Sequence, residues 1–246
     1  PLSSRLVLLA SLILLIPTVY LASYGQMFIQ GHGWQHLKEL HQQIWWYQTN
    51  LTATHPYQST PLQWILNLRP VYTYTDNPGE GLMRHMYIQG NPILLWGALI
   101  AVLWSLSSLL VWGGSWIQLT LDALDAKSKK AITLQKKRLA ELKKETRVAA
   151  PIIFLLVAYF SMWIVWTNSP RIMFFYHYTP ALPFLFILLS FWLTKLIDHS
   201  RWGKIVGYGF VIMAVLTFAI FWPNWTGLAV PNQPFSDIYF SIKSWR

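Results

Sequence analysis

The sequence predicts an all-α integral membrane protein with about five transmembrane helices, and three observations carry that prediction. Of 246 residues, 54% are hydrophobic and 11% charged, whereas an average soluble domain is roughly 25% charged. Five windows, 6–37, 85–121, 148–170, 172–194 and 205–236, hold no Asp, Glu, Lys or Arg. Each contains an apolar stretch near the ~20 residues that a spanning helix needs. The Lys and Arg residues between those windows fall mostly on alternate sides. Other classes drop out on composition: 15 Trp, 12 Tyr, 13 Gly and no Cys exclude disorder, collagen and a disulfide scaffold. The absence of Cys also removes iron–sulfur sites and thiol catalysis.

The first span is placed at 6–24. Its apolar run exceeds a signal-peptide core, and no small-residue cleavage site follows Tyr20-Leu-Ala-Ser-Tyr24, so it reads as a helix that stays in the bilayer. The remaining spans are placed at 92–119, 149–167, 178–197 and 205–222. Orientation follows from the excess of Lys and Arg on the cytoplasmic side. Arg5, nine residues between 120 and 148, and Lys195, Arg201 and Lys204 make thirteen on one side. Lys38, Arg69, Arg84, Arg171, Lys243 and Arg246 make six on the other. The thirteen-residue side is therefore cytoplasmic, loop 25–91 is outside and the basic loop 120–148 is inside. In that basic loop Ile132, Leu139 and Leu142 recur at helical spacing among lysines. It reads either as a basic amphipathic helix along the anionic inner leaflet or as a solvated connector. No nucleic-acid motif accompanies the net charge of +10, and a nucleic-acid partner is not expected.

The outer loop 25–91 is too long to be a plain connector, because loops beyond about 12–15 residues are usually functional or disordered. Its nine Trp and Tyr residues argue against disorder. Residues 34–50 carry Leu37, Leu40, Ile44 and Tyr47 three to four apart, which predicts an interfacial helix. A proline-punctuated stretch follows: His55-Pro-Tyr-Gln-Ser59, Trp64, Arg69-Pro-Val-Tyr72 and Gly90-Asn-Pro92. Each proline fixes its own φ and biases the preceding residue to an extended form, so His55, Arg69 and Asn91 are held in defined directions. Such a loop either holds a polar headgroup or is a rigid cap on the bundle. A second feature is Arg171-Ile-Met-Phe-Phe-Tyr-His177-Tyr178, where Arg171 is the sole charge between two spans. It either meets an anionic partner such as a lipid phosphate or snorkels to anchor the hairpin. Of seven histidines, His32, His36, His41, His55, His85 and His177 lie outside. His32 and His36 stand i, i+4 but lack the intervening Glu of a metalloprotease helix, so no metal is assigned.

These motifs, His55-Pro-Tyr-Gln-Ser59, Arg69-Pro-Val-Tyr72, Gly90-Asn-Pro92 and Arg171 followed by Phe174-Phe-Tyr-His-Tyr178 and Pro180-Ala-Leu-Pro183, in this order, resemble the C-terminal multi-span region of the protein O-mannosyltransferases. Those are membrane enzymes of the GT-C fold that use dolichyl- or other polyprenyl-phosphate mannose. The resemblance covers about residues 6–222, with Trp64-Ile65 standing where a Trp-Pro pair is expected and Leu95-Trp96 where two tryptophans are. It implies that 1–246 is the C-terminal region of a longer, compact bacterial-type enzyme in the plasma membrane, inactive as a fragment. The expected partners are a polyprenyl-phosphate mannose donor, an exported polypeptide acceptor carrying Ser or Thr, and the lipid bilayer, with no cofactor. The family's catalytic acidic pair belongs to the preceding half, so the catalytic residues are unknown. Arg69 and Arg171 are the expected phosphate partners, with His55, Tyr57, Ser59, His177 and Tyr178 around the carrier or sugar. The alternatives are a polyprenyl-phosphate-sugar transferase acting on a glycolipid, and a non-catalytic membrane subunit or transporter.

Overall fold

The computed structural model describes residues 2–125 and 129–245. The chain divides into two compact units, Pro1–Thr52 and Ala53–Arg246. In the first, α1 (Leu2–Ala22) is followed by the short α2 (Gly25–Ile29) and by α3 (Trp34–Asn50). The helix expected over 34–50 is therefore α3. Within this unit the Tyr20 hydroxyl lies 2.6 Å from His41 Nε2, joining α1 to α3, and His32 stacks on His36 at 4.4 Å.

The second unit begins with a loop and α4 (Pro61–Ile65), then β1 (Val71–Asp76) and β2 (Leu82–Ile88). Long helices follow: α5 (Pro92–Asp125), α6 (Lys129–Ile164), α7 (Leu182–His199) and α8 (Arg201–Thr226). β3 (Val230–Pro231) and α9 (Asn232–Tyr239) close the chain with a final turn at Lys243–Trp245. Among the described residues, four stretches are long and apolar enough to cross a bilayer: Pro92–Ala123, Ile132–Asn168, Phe175–His199 and Arg201–Thr226. They contain the expected spans 92–119, 149–167, 178–197 and 205–222. The expected span 6–24 falls on α1, which is not one of these four; its apolar stretch among the described residues is the shorter Ile13–Ala22. Apolar side chains such as Leu110, Phe154, Ile187 and Val206 stand exposed around the bundle, as lipid-facing positions require. The chain is an integral membrane protein.

The starts of α5 and α8 have local causes. Asn91 caps α5, its Oδ1 accepting the N–H groups of Ile93 and Leu94 at 3.0 and 3.2 Å, and Pro92 follows at the first helical position. The same side chain donates from Nδ2 to the Ala214 carbonyl of α8 at 2.9 Å, fastening the two helices. Ser200 caps α8 by accepting from Gly203 N at 3.0 Å. Gly203 is required there because a Cβ would collide with the Leu196 carbonyl of α7. The core between the helices comprises residues such as Leu95, Ala98, Val102, Leu156, Leu185 and Leu188. Across it Trp192 Nε1 donates to Ser105 Oγ at 2.6 Å. Asn224, in the stretch Asn224-Trp-Thr226, is buried inside α8 at 3% exposure.

Two elements differ from expectation. First, the basic segment neither lies apart as a separate leaflet helix nor forms a loose connector. It continues α6, which at 36 residues runs ~54 Å, while the 34-residue α5 runs ~51 Å. Both overrun the roughly 30 Å of hydrocarbon. Their ends pair outside it, where Arg138 Nη1 meets Asp122 Oδ2 at 2.8 Å and Gln135 Nε2 donates to the Asp122 carbonyl at 2.6 Å. Lys127 of the basic set lies outside the described residues. Second, the loop 25–91 contains the hairpin β1-β2, to which β3 of the tail adds in a small sheet of order β1-β2-β3. β1 and β2 pair antiparallel with Tyr72 opposite Tyr87 and Thr75 opposite His85, and the register shifts between Tyr72 and Tyr74. β2 carries β3 on its other side through Leu82 and Met83. The C-terminal tail folds back, so that Tyr239 and Trp245 bury against Met83 and Phe221.

Candidate functional site

The sheet, the 53–70 loop and the tail gather where α5 and α7 begin and α6 and α8 end. Every sequence motif falls at this end. His55-Pro-Tyr-Gln-Ser59 forms a tight turn: Gln58 N donates to the His55 carbonyl at 3.0 Å, and His55 Nδ1 accepts the Tyr57 N–H at 3.1 Å. The turn is tied to the 171–178 segment by Ser59 N, which donates to the Met173 carbonyl at 2.8 Å. α4 follows, with Pro61 at its first position and Gln63 Oε1 accepting the Thr60 N–H at 2.8 Å. It places Trp64, fully buried, beneath the turn.

Arg69 is half-buried and braces two backbone carbonyls. Nη2 donates to Pro56 at 2.6 Å and Nη1 to Ser244 of the tail at 3.4 Å. The guanidinium carbon lies 5.5 Å from the centre of the Tyr57 ring. Tyr57 stacks on Tyr72 at 5.3 Å, and Tyr72 meets Tyr87 edge-on at 5.4 Å. Burial, with Tyr57 and Tyr72 alongside, pushes the Tyr87 phenol well above its usual range, so it remains a neutral hydroxyl. Phe240 continues the aromatic surface at 5.7 Å from both Tyr87 and His85. The result is a guanidinium framed by three tyrosines.

Phe174 joins this shelf to the second motif, lying 5.2 Å from the His55 ring and 6.4 Å from that of His177. His177 is boxed by aromatics: Tyr176 at 4.6 Å, Trp166 at 4.5 Å and Trp64 stacked at 6.1 Å. Its Nδ1 is held by the Phe174 backbone, 3.1 Å from the amide nitrogen and 3.0 Å from the carbonyl oxygen, which leaves Nε2 on the open side of the ring. Arg171 is half-buried at the start of the same segment, with Nε 3.4 Å from the Ile172 carbonyl.

The structure thus brings His55, Tyr57 and Arg69 into one group, and sets Arg171 and His177 on the adjoining wall. Ser59 and Tyr178 have different surroundings. Ser59 is buried, and its Oγ accepts the Trp64 indole N–H at 2.8 Å, so it supports the turn from beneath. Tyr178 is 1% exposed and pairs hydroxyl to hydroxyl with Tyr159 at 2.8 Å within the helix core. Residues to which the sequence assigns no role at the site complete it: Tyr72, within the Arg69-Pro-Val-Tyr72 motif, and Tyr87 as its frame, Trp64 as its floor, and Asn67. Asn67 is fully buried at φ 53°, donates from Nδ2 to the Gly90 carbonyl at 3.1 Å, and accepts the Trp245 indole N–H on its carbonyl at 2.6 Å. Asn tolerates that left-handed backbone better than most residues, which a sequence motif alone does not reveal.

The model of the C-terminal four TMM region of protein-O-mannosyltransferase matches residues 33–245. A polyprenol-phosphate-mannose–protein mannosyltransferase of Corynebacterium glutamicum is 21% identical over 231 residues, covering 87% of this chain and 37% of that protein. Among solved structures, the S. cerevisiae protein O-mannosyltransferase Pmt1-Pmt2 complex bound to the sugar donor shares the fold with a TM-score of 0.52. There the identity is 21%, over 78% of this chain and 24% of that one. The chain therefore spans well under half the length of these relatives. With the family match running from α3 through the hairpin, the four long helices and the tail that braces Arg69, the chain belongs to the C-terminal four-TMM-region family of the protein O-mannosyltransferases.

Proposed function

We propose that this chain is the C-terminal membrane region of a longer enzyme that moves mannose from polyprenyl-phosphate mannose to Ser or Thr hydroxyls of exported polypeptides, at the outer face of a bacterial plasma membrane. The observation that carries the reading is the convergence of three motifs, distant in sequence, on Arg69, Tyr57, His55 and His177 at one end of the bundle. The loops that the sequence assigns to that side of the membrane carry six Lys and Arg residues against thirteen on the other, which supports an outward-facing site.

In the reaction the acceptor oxygen attacks mannose C1, the bond from C1 to the phosphate oxygen breaks, and polyprenyl phosphate leaves with the electron pair. The hydroxyl proton goes to a carboxylate, which we assign to the preceding half of the enzyme. This chain's part is charge and orientation. Arg69 and Arg171 face the developing phosphate charge, for which a planar guanidinium is suited to bidentate contact. Tyr57, Tyr72 and Tyr87 supply a neutral aromatic surface for a sugar ring. His177 supplies a polar ring nitrogen, while Ser59 and Tyr178 act through the loop and the helix core.

The test is transfer by the intact enzyme carrying Arg69→Lys or Arg171→Lys, with expression and membrane insertion checked. A charge-assisted hydrogen bond contributes about 1.5–3 kcal/mol, so losing one slows transfer about ten- to a hundredfold. An arginine that only anchors the hairpin is replaced well by lysine, since either side chain snorkels. Near-normal turnover of both variants at subsaturating donor refutes the phosphate role.

A further inference from the structure

The hairpin next to Arg69 has an open side. In the three-stranded sheet β1 is an outer strand, pairing only with β2 among the described residues. An edge strand presents a row of backbone N–H and C=O groups, and proteins that need to blunt one place lysine or proline along it. β1 reads Val71-Tyr-Thr-Tyr-Thr-Asp76 and has neither within it; Pro70 precedes it, and its one irregularity is the register shift between Tyr72 and Tyr74, which leaves Tyr74–Asp76 in regular pairing with β2. Its threonines do not shield the edge, because both are drawn inward: Thr73 Oγ1 donates to the Met86 carbonyl at 2.7 Å and Thr75 Oγ1 to the Arg84 carbonyl at 3.3 Å. Thr73, Tyr74 and Thr75 are exposed.

The two ends of this edge are what give it a purpose. At one end Tyr72 belongs both to β1 and to the stack over which Arg69 sits. At the other, a pocket of about 400 Å³ opens between Thr75, Asp76, Glu80, His85 and Asn232. Six strand residues span roughly 20 Å, so a segment laid along β1 reaches from the candidate site to this polar pocket.

We infer that β1 takes an extended stretch of the acceptor polypeptide by strand addition, delivering its Ser or Thr to the Arg69–Tyr57 shelf while a polar side chain further along enters the pocket. The inference rests on the mannosyltransferase reading for the identity of the partner. Strand addition draws its affinity from main-chain hydrogen bonds, so it holds polypeptides of differing sequence. That suits an enzyme that modifies many exported chains.

The test uses the full-length enzyme with p-benzoylphenylalanine in place of Tyr74, or of Thr75 if the first variant fails to fold. It is irradiated with a Ser-bearing acceptor peptide, and with a series of peptides carrying one backbone N-methyl group at successive positions. Paired strands use every second residue's N–H towards a given neighbour. The expected result is a crosslink whose yield falls about tenfold for alternate N-methyl positions and is unchanged for those between them. The same probe at Lys144, in the basic segment, yields no crosslink. Absence of a crosslink from β1, as when another part of the enzyme covers the edge, overturns the inference, and so does an equal effect at every position. Crosslinking is scored without turnover. Loss of transfer from polyprenyl-phosphate mannose by the unaltered enzyme therefore counts against the mannosyltransferase reading and not against the edge.

Discussion

Replacing Ser59 separates a residue that touches ligand from one that holds the loop. Its hydroxyl oxygen accepts the indole N–H of Trp64 at 2.8 Å, and both residues are buried. Ser59→Ala leaves that N–H with no acceptor, and a stranded buried donor costs about 1–3 kcal/mol. Trp64→Phe removes the donor together with part of the ring that lies against His177, Trp166 and Tyr178. Its cost is the larger, about 2–4 kcal/mol through the cavity it opens. Once Trp64→Phe has removed the indole, however, Ser59→Ala strands nothing. The two changes should therefore be non-additive, with a coupling of roughly 1–2 kcal/mol, inside the range seen for contacting pairs. The assay is unfolding of the full-length protein in mixed micelles titrated with dodecyl sulfate, alongside the KM for donor in each variant. Ser59→Ala should lower stability with little change in KM. Additive costs within about 0.5 kcal/mol, or unchanged stability with a raised KM, refute the reasoning and turn the hydroxyl towards the ligand.

Three further outcomes are expected. Asn91→Ala loses a helix cap, about 1–2 kcal/mol, and the bond to the Ala214 carbonyl, about 1 kcal/mol. Asn91→Ser keeps the cap and should lose only the second; equal losses for the two variants in the same titration contradict this division. Burial holds the His85 imidazole below its usual range. The unfolded ring therefore takes up its proton first, near pH ~6.5, and stability falls as pH drops from there through the folded value. His85→Gln should flatten that section of the stability profile, and an unchanged slope assigns it to other groups. In a cysteine-free background Asn77→Cys, in the hairpin turn, should react with an impermeant maleimide from outside intact cells. Lys144→Cys should react only after permeabilisation; the reverse pattern inverts the proposed orientation.

The spans are legible because charge-free windows report directly on burial in lipid, and Gly90-Asn-Pro92 marks a helix start by capping chemistry that needs no tertiary context. The hairpin is also written in the sequence. Val71-Tyr-Thr-Tyr-Thr is a β-branched and aromatic run, Asn77-Pro-Gly-Glu-Gly is turn chemistry, and Met83 through Ile88 completes the pair. The proline-rich surroundings draw attention to loop geometry instead. Charge and side of the membrane pick out Arg69, but the same reasoning does not separate His177, beside the shelf, from Tyr178, within the core. These are neighbours in sequence, and a short 3₁₀ turn over Phe175–Ala181 sends them to different surroundings. The tail is not legible at all, since nothing in Tyr239 or Trp245 announces a return across more than 150 residues to Met83 and the Asn67 carbonyl.

Four of the fifteen tryptophans have their explanation in the 55–70 loop. Its backbone has little regular structure, yet four indole N–H groups fasten it: Trp64 to Ser59 Oγ, Trp96 of α5 to the Leu66 carbonyl, Trp163 of α6 to the Pro61 carbonyl, and Trp245 of the tail to the Asn67 carbonyl. A buried carbonyl left without a donor is costly. A lysine or arginine brought in for each carbonyl would carry a charge to be desolvated. An indole donates one hydrogen bond with no net charge and buries a large apolar face while doing so. The two ion pairs among the described residues, Arg84 with Asp76 and Arg138 with Asp122, both lie outside this loop. Uncharged fastening keeps the strong local field for Arg69. Because the anchors come from α5, α6 and the tail, the position of that guanidinium is set jointly by three elements that are far apart in the chain.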